Sequence, residues 1–155
     1  MSLVIQAPSP STTEPEIVSG PFWPNIDPKK VREEHRIDNT TTPARLRGSL
    51  IEAIAETNNA LRAWRIAHQD LGASTLIGID AEQIDDESVL IHKYRRAVGV
   101  LTKALLLERT RDFDTTAKGD RDAEVLESQI GDHRRDWHAA IADMTGRTRT
   151  TVELI

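Results

Sequence analysis

Apolar residues recur along the chain at alternating steps of four and three, the spacing that places them on one face of an α-helix. The first such segment opens at Thr42-Pro43, an N-cap residue followed by a proline in the first turn, and closes before Gly72. The pattern predicts one helix over residues 43–71, about 42 Å long. Its apolar face comprises Leu50, Ile54, Leu61, Trp64 and Leu71, with Thr57 and His68 at the intervening steps.

Two later segments show the same helical period, and a short helix is predicted before the first segment. Residues 87–111 carry one apolar face, formed by Ile91, Tyr94, Val98, Leu101 and Leu105. Residues 120–145 carry another, formed by Leu126, Ile130, His133, Trp137, Ala140 and Met144, and Thr145-Gly146 ends that helix. Asp27-Pro28 repeats the start signal and predicts a short helix over residues 28–37, which needs packing to be stable.

These elements predict an all-α fold, a small bundle of about four helices in one domain over residues 26–146. An extended Pro-rich leader, residues 1–25, precedes the bundle, and an extended C-terminal tail, residues 147–155, follows it. The leader holds five of the seven prolines, which favours extended backbone without internal hydrogen bonds. The connection over residues 72–88 has no basic residue, so we interpret it as a solvated acidic excursion. Its acids are Asp80, Glu82, Asp85, Asp86 and Glu87.

Phe22 and Trp23 are two of only six aromatic residues, and both lie in the leader. Large aromatic rings need an apolar surface. We expect them to insert into a groove either on their own bundle or on an adjacent copy, and the sequence leaves both alternatives open.

The last nine residues, "RTRTTVELI", combine β-branched residues with an apolar end and resemble a strand without a partner in its own chain. We expect this segment to dock on a partner. Val152, Leu154 and Ile155 would supply apolar contact, and Arg147 and Arg149 would supply charge.

The composition and charge of the chain argue against several classes of function. A net charge of -5 argues against a protein that grips nucleic acid over its whole surface, and the absence of cysteine removes disulfides and thiolate chemistry. The N-terminus lacks a basic start and a long apolar run, so we expect neither a signal peptide nor a membrane-spanning helix.

The residue pattern does not support a catalytic site or a metal-binding site. A di-iron bundle needs Glu-x-x-His on facing helices. None of the five histidines has glutamate three residues before it, so we expect no metal and no cofactor. No serine lies in a nucleophile elbow and no glycine loop has phosphate-binding spacing, so we expect no enzyme.

Arginines on two helices, in "TPARLR" and "HKYRRAV", raise the alternative of a DNA-binding module. Acids are mixed among these bases, whereas a nucleic-acid footprint needs concentrated positive charge. Solvated faces and ion pairs between subunits are the favoured interpretation.

Six blocks in a fixed order carry a family resemblance: "FWPNIDPKKVRE", "TPARLR", "AETNNAL", "YRRAV", "AKGDRDAE" and "DHRRDWHAAIADMTGRTRTTVELI". From about residue 22 to its end, the chain resembles the head completion protein L family of P2-like tailed phages. The resemblance implies an all-α head-tail connector adaptor, made in the host cytoplasm and placed at the neck of the virion. No catalytic residue is implied.

The resemblance also implies partners. The adaptor would bind the portal protein after DNA packaging as a ring of twelve copies and prepare the site for a tail-side connector or terminator protein. DNA would pass through the channel without specific binding, and no membrane is involved. The alternative is a small helical DNA-binding protein of the phage packaging machinery.

A ring closes through one heterologous interface, so each copy needs two different surfaces and often arms that reach its neighbour. We expect the leader and the C-terminal tail to be such arms, ordered only on docking. Carboxylates facing a channel would repel DNA phosphates, and the 80–87 acids are the candidates.

Overall fold

A computed structural model describes residues 14–113 and 120–147, in which five α-helices surround one core. The helices are α1 (Pro28–Glu34), α2 (Pro43–Ala60), α3 (Arg62–Asp70), α4 (Val89–Phe113) and α5 (Asp120–Thr145). A 3₁₀ turn (Leu76–Gly78) and a small antiparallel hairpin of β1 (Gln83–Ile84) and β2 (Glu87–Ser88) lie between α3 and α4. The predicted all-α class is confirmed.

α4 is the central helix, with α2 and α5 antiparallel to it. At one end Arg109 of α4 donates to Ser49 Oγ at 2.8 Å, and at the other Tyr94 donates to Asn58 at 2.7 Å. The Trp137 indole of α5 donates to the buried Thr57 hydroxyl of α2 at 3.0 Å and closes the three-helix core. The buried face of α4 comprises Ile91, Tyr94, Ala97, Val98, Leu101, Ala104 and Leu105.

The capped helix starts predicted at Asp27-Pro28 and Thr42-Pro43 are both found in the structure. Asp27 caps α1 by accepting from the Lys29 N–H at 2.9 Å, and Thr42 caps α2 by accepting from the Arg45 N–H at 3.3 Å. A proline occupies the first turn in both, where no intrahelical donor is needed. α5 ends before Gly146, whose φ of +66° suits a glycine terminator.

The single helix predicted over residues 43–71 is wrong. The chain breaks at Leu61, which has φ -92° and ψ 4° and is completely buried. The Leu61 N–H bonds to the Thr57 carbonyl at 3.0 Å and the Leu61 carbonyl accepts from the Arg65 N–H at 2.8 Å, so helical hydrogen bonding continues past this residue and its backbone angles mark the boundary between α2 and α3. Leu71, predicted on the apolar face, is 84% exposed.

Two other boundaries differ from the predictions. α1 ends at Glu34 because Arg36 adopts a left-handed φ of 48°, which a helix cannot accommodate. α4 begins at Val89, two residues later than predicted, because Glu87 and Ser88 pair with the preceding strand.

The described part of the leader is extended but packs on its own bundle. Ile17 and Ile26 exchange backbone hydrogen bonds at 2.8 and 2.9 Å, and the Phe22 carbonyl accepts from the Leu76 N–H at 2.8 Å. Ser19 O accepts from the Asn58 side chain at 2.9 Å. The expectation that this segment requires neighbouring copies to become ordered is therefore corrected, because its backbone groups find partners within the chain.

An aromatic stack anchors the leader. The Trp23 ring lies parallel to Tyr94, with centroids 4.7 Å apart and planes 6° apart, and is stacked at 6.5 Å on Trp64. Phe22 meets Trp23 edge-on at 4.8 Å. The exposed fractions of Phe22 and Trp23 are only 2% and 7%, so in the single chain they pack on their own bundle, the first of the two alternatives above.

Trp23→Ala should lower the free energy of unfolding by about 3–5 kcal/mol, because it leaves a cavity between Tyr94 and Trp64. Urea denaturation of the full chain measures this change. Val18→Ala is the control in the same segment, because Val18 is 76% exposed and its truncation should stay within about 0.5 kcal/mol. Equal stability of the Trp23 variant and the unmodified chain would contradict the anchoring role.

The residues that follow α1 contact α4 at Gly99, where that helix carries no side chain. A Cβ atom placed on Gly99 would overlap the His35 imidazole, so the ring rests directly against the helix backbone. Beside it, Lys103 Nζ donates to the Arg36 carbonyl at 3.0 Å. Gly99 is therefore required for close approach, although glycine lowers the stability of a helix interior.

Gly99→Ala should destabilise the chain by about 1–3 kcal/mol through overpacking, despite a gain of about 1 kcal/mol in helix propensity. In a His35→Ala background the clash is absent, so the same substitution should be neutral or stabilising. Thermal or urea unfolding of the four variants in this cycle measures the coupling. Additive effects would exclude the proposed contact.

Burial lowers the pKa of His35 below its ordinary value of 6.5, a shift reinforced by His133, Lys103 and Arg96 and opposed by Glu34. The unfolded chain then binds a proton more readily than the folded chain, so stability should fall as the pH drops below about 6.5. His35→Gln should weaken this dependence. The check is the melting temperature of both proteins between pH 7.5 and pH 5, and equal pH slopes would contradict the assignment.

Candidate functional site

Large apolar side chains are exposed where α3 and the 3₁₀ turn meet. Ile66 is 42% exposed, Leu71 is 84% exposed and Ile77 is 68% exposed. Leu71 and Ile77 adjoin in sequence residues 72–73 and 78–80, which line one hollow, and exposed apolar side chains grouped in this way mark interaction surfaces more often than single ones do. We call Leu71 and Ile77 the α3 patch.

The position of the α3 patch follows from the aromatic stack. No residue of α3 is buried, and Trp64 holds the helix by stacking on Trp23. His68 lies one turn later, with its ring 4.3 Å from Trp64. Ile66, two positions after Trp64, faces away from this stack, whereas Leu71, seven positions after Trp64, lies on the same side as Trp64 at the end of the helix.

A shallow hollow of about 380 Å³ borders the patch. It is lined by His68, Leu71, Gly72, Ala73, Gly78, Ile79 and Asp80. Gly72 has φ of +99°, which lets the chain turn sharply after α3. The combination of an exposed leucine, small residues and an open hollow can accept an apolar side chain from another protein.

Four of the five candidate channel acids are exposed, and they are spread over two places, since Asp80 lines this hollow whereas Asp85 lines a separate one formed with α1 and α4. Asp80, Glu82, Asp85 and Asp86 are exposed, and the two consecutive aspartates form the hairpin turn with φ values of 53° and 57°. Both values are left-handed, as a two-residue type I′ turn requires. These carboxylates therefore project from the bundle.

Glu87 differs from the other four acids because its charge is paired within the chain. It accepts from Arg95 Nη1 at 2.8 and 2.6 Å, and His92 Nδ1 lies 3.6 Å away. His92 Nε2 donates to the Ile84 carbonyl at 3.0 Å. We infer that Glu87 fixes the hairpin against α4.

The C-terminal segment leaves the bundle at the same end. Lys93, in the first turns of α4, donates to the Asp143 carbonyl in the last turn of α5 at 3.3 Å. The next described residues end at Arg147, which is exposed and whose N–H bonds to the Ala142 carbonyl at 3.0 Å. Arg149, Val152, Leu154 and Ile155 lie outside the described residues.

Two of the four arginines that raised the DNA-binding alternative make internal contacts that the structure shows in detail. Arg47 donates to the Pro15 carbonyl at 3.0 Å and Arg95 pairs with Glu87. These contacts hold the leader and the hairpin to the bundle, so neither guanidinium presents all its donors to phosphate.

The described residues, 14–113 and 120–147, form neither a cluster of metal ligands nor a membrane-spanning helix. No group of three or more potential ligands lies close enough together there to hold a metal ion. None of the helices in the same ranges is long and apolar enough to cross a membrane.

The sequence pattern missed the α3 patch. It assigned Leu71 to a buried face and treated residues 72–88 only as an acidic connection. The pair Leu76-Ile77, apolar residues within that acidic stretch, was the available signal: Leu76 is fully buried while Ile77 points outward.

Comparison with known proteins supports a phage assembly role. The sequence profile of a family described as phage head completion protein (GPL) matches residues 17–155. The chain is 40% identical over 148 residues to the head completion/stabilization protein of Escherichia phage P2, covering 96% of this chain and 88% of that protein. No solved structure matches the chain.

Proposed function

The chain belongs to the phage head completion protein family, and from this membership we propose that it binds the portal as a ring after DNA packaging. In this role it stabilises the filled head and forms the platform for tail attachment at the neck of the virion. The family is a structural one rather than a class of enzymes.

The α3 patch is the observation that carries the portal contact. Leu71 and Ile77 expose most of their apolar surface beside an open hollow, and the C-terminal segment leaves the bundle at the same end. Burial of such side chains supplies most of the energy of a protein interface. The patch and residues 147–155 together form one docking surface, in which Val152, Leu154 and Ile155 add apolar contact and Arg147 and Arg149 add charge.

The exposed acids give this surface a second role. Asp80 lines the hollow beside the patch, and Glu82, Asp85 and Asp86 are exposed at the hairpin that follows in sequence. In a ring of twelve copies, repeated carboxylates facing the channel would repel phosphate, so that DNA passes without being held. A tail-side connector or terminator protein would bind the face of the ring away from the portal.

Leu71→Asp combined with Ile77→Asp should weaken portal binding by about 2 kcal/mol or more, roughly 30-fold in Kd. Both side chains are solvent-exposed, so the fold should remain stable. Val125→Asp on α5 is the matched control, because Val125 is 58% exposed and lies outside the patch. Surface plasmon resonance with immobilised portal measures the affinities, and removal of residues 147–155 tests the C-terminal segment separately.

Unchanged portal affinity in the double variant would contradict the docking surface. A chain that left the portal free and instead bound duplex DNA selectively at physiological salt would support the DNA-binding alternative, because contacts to phosphate alone weaken steeply with salt.

A further inference from the structure

A second apolar surface lies on the outer face of α2. Gly48, Ile51 and Ala55 follow one another at steps of three and four and are exposed, with Ile51 at 51%. Such an outward helix face normally carries polar residues. Val18 of the leader is 76% exposed alongside the same helix. We call these four residues the α2 strip.

The leader borders the α2 strip and runs parallel to α2. The Pro15 carbonyl accepts from Arg47, near the start of α2, and the Ser19 carbonyl accepts from Asn58, near its end. Followed backwards from Ser19, the leader thus heads towards the start of α2. At Glu14 it reaches a hollow of about 180 Å³, lined by Glu14, Pro15, Pro28, Pro43, Ala44 and Arg47.

Thirteen residues precede Glu14, and their one run of large apolar side chains is Leu3-Val4-Ile5. Ten positions separate Ile5 from Pro15, a distance of about 31 Å in extended proline-rich backbone. Ile51 lies only about 6 Å along α2 from Arg47. Within one copy, the segment would have to turn back on itself to bring Leu3-Val4-Ile5 to the strip.

The spacer is long enough to reach a neighbouring molecule. A chain of this length has a radius of gyration of about 15 Å, which corresponds to a compact body about 39 Å across, and Glu14 already lies beside a surface hollow from which the spacer has only to cross to the facing copy. A segment that leaves one copy at Glu14 therefore has the reach to place its apolar end on the next. An exchanged arm of this kind is a heterologous contact, which closes into a ring when the rotation between copies allows.

We propose that Leu3-Val4-Ile5 of one copy binds the α2 strip of the adjacent copy. The inference rests on the proposed ring and adds the contact that links its members. Ile51 and Val18 supply the apolar area, and Gly48 and Ala55 let the arm approach the helix closely. Ordering the arm offsets part of the binding energy, so the contact is weak in a pair of copies and gains strength in the closed ring.

The chain has no cysteine, so an introduced pair reports one contact. Val4→Cys and Ile51→Cys are placed in separate full-length chains, and these are mixed at high concentration, with and without portal, under mild oxidation. The expected product is a disulfide-linked heterodimer. Val4→Cys mixed with Val125→Cys is the control and should yield severalfold less. A chain carrying both Val4→Cys and Ile51→Cys should give a ladder of covalent oligomers.

Two results would overturn the inference. One is a doubly substituted chain that forms only an internal disulfide, which would assign the arm to its own copy. The other is a mixture yielding no more heterodimer than the control in either condition. Portal affinity of the unmodified chain, measured alongside, separates the two proposals: loss of the cross-link with intact portal binding rejects the arm contact alone.

Discussion

The stacking of Trp23 between Tyr94 and Trp64 is the interaction on which the other features depend. It joins three parts of the chain that are distant in sequence: the leader, the start of α4 and α3. Burial raises the pKa of the Tyr94 phenol, so the phenol stays neutral. Its hydroxyl donates to Asn58, and this hydrogen bond fixes the ring in place. The free energy comes from apolar area removed from water, with an added preference for the stacked geometry. Trp64 packs on the core through this stack, while Ile66 on the other face of α3 is 42% exposed.

Charged contacts at the periphery orient the helices more than they stabilise them. Arg134 of α5 bonds to Glu108 of α4 at 2.6 Å, and Arg109 of α4 pairs with Glu52 of α2. These side chains are partly exposed, and ion pairs in such positions contribute little net stability. These ion pairs help to set the register of the helices, because each pair forms only when the antiparallel helices are aligned correctly. The apolar core provides the stability, and the arginines that suggested nucleic-acid binding are partly used within the chain.

The leader completes the core from Glu14 onward, since Ile17, Phe22, Trp23 and Ile26 are buried. A chain that completes its own core with the anchor can fold before assembly, and the proposed contacts at the α3 patch and the α2 strip then add to a formed bundle.

The sequence by itself determined the helical class, the capped starts of α1 and α2 and the end of α5. These depend on local chemistry, namely apolar period, capping oxygens, prolines and a terminating glycine. It also marked Phe22 and Trp23 as residues in need of an apolar surface, but it could not identify that surface. The tertiary structure decided that they pack on Tyr94 and Trp64, that Leu61 is buried at a helix break and that Leu71 is exposed. Such outcomes depend on residues far apart in sequence: residues 43–71 carry one unbroken apolar period, and only the packing of the whole chain shows which of these positions are buried.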